Sequence, residues 1–185
     1  MFIFKLREIG LLFLWILCLS ACQNVPSSKA NLAPVHFDLK AFFEKEVKHL
    51  ERLNPTVQKS ITVAEKIETK SLKDVDWRRE LGLFLSSDLN KPAWRDLYEV
   101  DTIYNDNTQN LIYQAKTDKP VIQSMHITQS IQSNDVESIV IKKYNENILY
   151  SNYELIEYNR HSYKIENEQK LVFKETDRFL IEAKW

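Results

Sequence analysis

The feature that most restricts this chain is a change of period near Leu97. From there to Trp185 apolar residues recur every second position in short runs, and the breaks between runs are rich in Asn and Asp. The runs fall near Leu97–Tyr104, Leu111–Lys116, Val121–Gln129, Val136–Tyr144, Ile148–Tyr158, Ser162–Asn167, Lys170–Lys174 and Arg178–Lys184. The breaks include Asn105-Asp106-Asn107, Ser133-Asn134-Asp135 and Asn145-Glu146-Asn147. Side chains on a strand alternate faces, so this period requires strands. Connections this short allow only antiparallel neighbours, so the runs predict a meander. With only two glycines in 185 residues, Gly10 and Gly82, the turns rely on Asn and Asp, which tolerate left-handed backbone.

The preceding segment is helical in part. Asp38 is a good N-cap, and Leu39, Phe42, Phe43, Val47 and Leu50 form one stripe of a helix that Asn54-Pro55 stops. Phe37 is placed to staple onto Phe42. Val57, Ile61 and Val63 share one face of a strand, with Lys59 as the exception, and Lys66–Lys70 is its candidate hairpin partner; helix is the competing reading, because Ala64-Glu65-Lys66 favours it. Ser71 followed by Asp74 resembles a capping box for a second amphipathic helix carrying Leu72, Val75, Leu81, Phe84 and Leu85. Gly82 inside it costs about 1 kcal/mol against Ala, which a close backbone contact would explain. Helices first and a sheet afterwards predict an α+β fold: N-terminal helices packed on a curved antiparallel β-meander, half-barrel-like.

Charge and composition exclude several function classes. The chain carries 25 Lys+Arg against 26 Asp+Glu, with no basic block, which argues against nucleic acid. Glycine scarcity excludes phosphate loops and dinucleotide fingerprints. No histidine pair among His36, His49, His126 and His161 has ligand spacing, so no metal site is expected.

The N-terminus reads as an export signal. Lys5 and Arg7 precede an uncharged apolar run, Ile9 to Leu19, of roughly 11 residues, short of the about 20 that span a bilayer. Leu19-Ser20-Ala21-Cys22 follows and resembles the lipobox of bacterial lipoproteins. That resemblance implies a diacylglyceryl group on the Cys22 thiol, cleavage just before Cys22, and an acyl chain such as palmitate on the new N-terminus. It divides the chain into a signal peptide (1–21), a lipidated flexible tether (22–35) and a single α+β domain (36–185). Cys18 leaves with the signal, so the mature chain keeps one cysteine, acylated, with no disulfide. The Asn-, Lys-, Ile-, Glu- and Tyr-rich composition resembles Bacteroidota-type outer-membrane lipoproteins. Gln23, with no acid through Lys29, resembles the kind sent to the outer membrane and kept on its periplasmic side. No cofactor is expected beyond these covalent lipids.

The mature domain offers weak site candidates. All eight tyrosines lie in the sheet half. β-propensity accounts for that bias; an aromatic-lined ligand face is the sharper reading, with Tyr150, Tyr153, Tyr158 and Tyr163 as its candidates. Trp94, in the stretch Asp88–Trp94, is either part of a structural corner or a partner-docking residue. Asp76 and Glu80 would share a helix face, where they complement the helix dipole or act as an acid–base pair.

Three functions remain open. The first is a non-catalytic accessory or interaction module that meets an envelope protein, with an exposed apolar or Trp-bearing patch. The second is a binder or carrier of a lipid or other hydrophobic ligand, with a cavity lined by Tyr, Phe and Ile. The third is a hydrolase, which needs His126 or His161 beside a carboxylate in a cleft. The arrangement of helices on a curved sheet is similar in layout to the half-barrel proteins that carry and receive lipoproteins in the periplasm, with no diagnostic motif shared.

Overall fold

A computed structural model describes residues 34–174 and 176–185. The signal, the lipobox with Cys22, and most of the tether lie outside these residues. Pro34–Trp185 forms one unit.

The first helix, α1 (Leu39–Leu53), starts and stops as its sequence dictates. Asp38 Oδ1 accepts from the Ala41 amide at 2.9 Å, and Asn54 leaves the helix in left-handed backbone, φ 42. Phe37 and Phe42 meet with ring centroids 6.0 Å apart. Leu39, Phe43, Val47 and Leu50 are buried along one stripe.

The hairpin β1 (Val57–Val63) and β2 (Lys66–Leu72) follows, paired from Val57↔Leu72 to Val63↔Lys66. Its turn residues, Ala64 and Glu65, both have positive φ, 46 and 70. That is the backbone a two-residue I′ turn needs, and here it is imposed on two residues with a Cβ.

The second helix differs from the expectation. Ser71 and Leu72 belong to β2, so Ser71 caps nothing, and Asp74 sits at φ 55, outside helical backbone. Asp76 is the cap instead, its Oδ1 accepting from the Arg79 amide at 3.0 Å. The helical stretch is two short pieces, α2 (Trp77–Glu80) and α3 (Gly82–Ser86), joined through Leu81. No close contact explains Gly82: nothing lies within 4 Å of where its Cβ would be.

Seven strands complete the chain: β3 (Tyr98–Tyr104), β4 (Thr108–Ala115), β5 (Ile122–Ser130), β6 (Val136–Glu146), β7 (Tyr150–Asn159), β8 (Ser162–Leu171) and β9 (Asp177–Lys184). The two runs anticipated at Ser162–Asn167 and Lys170–Lys174 are one strand plus a turn. Glu168, Gln169 and Lys170 continue the ladder against Tyr153, Asn152 and Ser151, because a polar residue on an open face does not interrupt pairing.

All nine strands form one antiparallel sheet in the order β2-β1-β9-β8-β7-β6-β5-β4-β3. The N-terminal hairpin adds to the last strand through Gln58↔Lys184 to Val63↔Phe179. Strands β2 and β3 are edges, so the sheet is unclosed, in keeping with the anticipated α+β meander. Register shifts between β5 and β6, at Ile122/Ser124 and Thr128/Gln129, bend it. On β2 the edge is guarded by Lys66, Glu68 and Lys70.

One sheet face is filled by the helices. Ile127, Ile139, Tyr158, Tyr163 and Ala183 stand in one cross-strand row, and Met125, Ile141, Ile156 and Ile165 in the next, all buried. Phe43 stacks on Phe84 at 4.8 Å and meets Tyr158 edge-on at 5.1 Å, while Trp77 packs on Trp185 at 5.0 Å. Burial of this order stabilises by about 25 cal/mol per Å² of apolar surface. Among the described residues no helix is long and apolar enough to cross a membrane.

Candidate functional site

A groove of about 1050 Å³ lies among the described residues on the β1–β9–β8 side of the sheet. It is walled by Ile61–Glu65 of β1 and its turn, Glu166–Glu168 of β8, Asp177–Ile181 of β9, Tyr153 of β7, and Lys174 and Thr176 before β9. Consecutive residues of β1 and β9 line it, so main chain as well as side chains form the wall, since side chains alternate faces. Its lining is largely apolar, through Ile61, Val63, Tyr153, Phe179, Leu180 and Ile181, with Ile61, Val63, Tyr153 and Phe179 exposed.

The rim is acidic. Arg178 Nε donates to Glu168 at 3.0 Å and Lys174 Nζ to Asp177 at 2.6 Å, so both cations of the groove are paired within it. Glu166 meets Lys164, whose ammonium that contact holds above the usual lysine range. Glu65 adds a fourth acid to the lining. Such a rim suits an apolar guest with a neutral or cationic end and disfavours an anionic one.

The helix-covered face ends in polar groups. The residues after Ile141 and Ile156 in the same alternation are Lys143 and Glu154, which pair at 2.9 Å with side chains 12% and 14% exposed. Lys59, the odd residue of β1, is explained in the same way. Its ammonium reaches Glu80 Oε1 and Oε2 at 2.9 and 2.7 Å, and the Tyr163 hydroxyl donates to the same carboxylate. Burial, then that hydrogen bond, hold the Tyr163 phenol far above the usual tyrosine range.

The four candidate tyrosines are not brought together. Tyr158 and Tyr163 are cross-strand partners inside the core, against Phe42, Phe43, Phe84 and Trp185. Tyr150, at the start of β7, accepts from Asn145 Nδ2 at 3.1 Å. Only Tyr153, on the opposite alternation, lines the groove. Trp94 packs against the core with Lys91 Nζ 4.2 Å over its ring. The rest of its stretch is a corner: the Asn90 side chain accepts from the Val35 and His36 amides and donates to the His36 and Phe37 carbonyls. Asp76 and Glu80 are not a catalytic pair, since one caps α2 and the other holds Lys59 and Tyr163.

His126 Nε2 lies 3.3 Å from Asn110 Oδ1, an amide rather than a carboxylate. His161 lines a smaller groove of about 440 Å³ with His49, Glu46, Asp135 and Arg160, where the strand ends meet α1. The Glu46 carboxylate there adds to burial in raising the Tyr158 phenol. Among the described residues no group of three His, Cys, Asp or Glu is placed to hold a metal ion.

The large groove escaped the sequence because it depends on the β1–β9 pairing, which brings residues more than a hundred positions apart side by side. The visible signal was weaker: Val63 and Phe179 are apolar on strands whose neighbours along the same row, Asn167 and Glu154, are not. The chain matches no family model, and neither the curated proteins nor the solved structures hold a match to it.

Proposed function

We propose that this is a lipid-anchored cell-envelope protein, held through Cys22 at the periplasmic face of the outer membrane, and that it acts as a non-catalytic binder of an elongated apolar ligand. The observation that carries the ligand reading is the β1–β8–β9 groove. Its volume is just above the roughly 300–1000 Å³ of small-molecule sites, and its apolar lining is aliphatic and aromatic from the sheet. The excess of acids over cations in the lining favours a guest with a neutral or cationic polar end. The anchor reading rests on Leu19-Ser20-Ala21-Cys22 and the basic and apolar segments before it.

An accessory module that docks a segment of an envelope protein is the second reading, and the open form of the groove favours it. The two are separated by an acyl probe. Uptake of a fluorescent zwitterionic acyl chain, reduced at least tenfold by Phe179→Glu, supports the ligand reading. Uptake that is absent, or that Phe179→Glu leaves unchanged, contradicts it. For the anchor, Cys22→Ala is expected to leave the signal attached and the chain unacylated. A variant still cut at the same bond and still partitioning into detergent overturns it.

A further inference from the structure

Two adjacent hairpin tips carry apolar pairs that stand exposed among the described residues. The β6–β7 tip presents Ile148 and Leu149, 93% and 63% exposed, and the β8–β9 tip presents Val172 and Phe173, 60% and 93% exposed. The Val172 amide donates to the Leu149 carbonyl at 3.1 Å, so the tips are held side by side. Turn positions normally go to polar residues, Gly or Pro. Four apolar side chains on two joined tips therefore call for an apolar medium.

We propose that these tips insert into the lipid bilayer to which the protein is anchored, seating Ile148, Leu149, Val172 and Phe173 at the headgroup–acyl boundary. This rests on the lipid-anchor reading of Cys22. Three observations select a bilayer over a protein. Together the four side chains offer roughly 500 Å², short of the about 800 Å² that each partner of a stable complex buries. They project from turn tips, a shape that lipid closes round without a preformed pocket. Lys170 precedes the Val172-Phe173 pair by two residues, and a long cationic side chain suits the headgroup level.

The path of the chain agrees. The β1–β2, β4–β5, β6–β7 and β8–β9 turns and the start of β3 all lie at one end of the sheet by register. His36, near the first described residue, packs edge-on against Tyr98, the first residue of β3, with ring centroids 6.3 Å apart. The segment between Cys22 and His36 spans at most roughly 45 Å, so the anchor permits this end of the sheet to reach the bilayer. The large groove is bounded at the same end by Ala64, Glu65, Lys174 and Thr176, so inserted tips would bring its mouth to the membrane surface.

The test uses the full chain, processed and lipidated, reconstituted into phosphatidylethanolamine–phosphatidylglycerol vesicles. Phe173→Cys carries an environment-sensitive NBD label at the tip, and Gln132→Cys carries it in the β5–β6 turn at the opposite end. The expected result is co-flotation of both, with blue-shifted emission quenched several-fold by spin-labelled acyl chains for position 173 alone. Co-flotation with position 173 reporting water, as position 132 does, overturns the tip insertion and leaves the anchor standing. A chain that does not float overturns both.

Discussion

The Tyr163 hydroxyl donates to Glu80 Oε2, the same carboxylate oxygen that meets the Lys59 ammonium at 2.7 Å. This contact ties three elements: β8, the end of α2, and β1 at its junction with β9. Lys59 and Glu80 are about one-fifth exposed, so removing one partner strands the other in a poorly solvated place. Glu80→Gln is expected to cost about 1–3 kcal/mol and Tyr163→Phe about 1 kcal/mol. The double variant should fall short of their sum, since Tyr163→Phe removes the hydrogen bond that Glu80→Gln has already weakened by taking the charge from its acceptor. Urea unfolding of the four proteins measures this; strict additivity would mean that the contact contributes nothing.

Alkaline pH should unfold the domain earlier than its other groups require. Burial pushes Tyr98 up to about 12, and holds Tyr113, Tyr158 and Tyr163 above their ordinary value as well. The unfolded phenols titrate near 10. Above that pH the unfolded chain releases protons that the folded chain keeps, so stability falls as pH rises through the window from about 10 to 12. Melting temperature followed from pH 8 to 12 should be flat below about 9.5 and then fall. A Tyr158→Phe, Tyr163→Phe variant should lose part of that slope.

Three backbone positions leave stability unused. Nothing lies where a Cβ on Gly82 would go, so Gly82→Ala is expected to raise the melting temperature by roughly 1–4 °C. Ala64 and Glu65 hold left-handed backbone in the β1–β2 turn, and Ala64→Asn with Glu65→Gly should stabilise the hairpin by about 1 kcal/mol. Both turn residues line the large groove. The strained turn therefore belongs to the wall of the site, and the more stable variant tests whether its conformation matters for uptake of the acyl probe.

The exposed tips make a contrasting claim about stability. Phe173→Glu and Ile148→Glu should leave the melting temperature within about 1 °C, because neither side chain is buried in the domain. A loss of several degrees would show that these residues pack against the fold, and would remove the basis for membrane insertion.

How much of this was legible in the sequence depends on the range of the interaction. Asp38, the Leu39–Leu50 stripe and Asn54-Pro55 act within one helix, and α1 matches its reading residue by residue. The Val57–Lys70 hairpin and the alternation Phe179, Ile181, Ala183 are likewise local. The second helix went astray because Ser71 satisfies a capping pattern and a strand equally well; the Val57↔Leu72 pairing decided it. Lys59 was visible as a break in alternation, and its partner was not, since Glu80 is brought to it by packing. The groove needs the β1–β9 junction, and no local pattern announces which strand closes on which. Tyrosine enrichment pointed to the sheet, where β-propensity accounts for it: Tyr153 and Tyr158 stand on opposite alternations of β7.

The most direct measurement is native mass spectrometry of the mature chain, extracted from the envelope in mild detergent, beside Phe179→Glu treated alike. The account expects a chain beginning at Cys22 with a covalent diacylglyceryl and acyl increment. It also expects a second increment, the size of a lipid with a neutral or zwitterionic end, released on collisional activation and absent from Phe179→Glu. A mass with only the covalent increment in both proteins, or an N-terminus without it, would contradict the account.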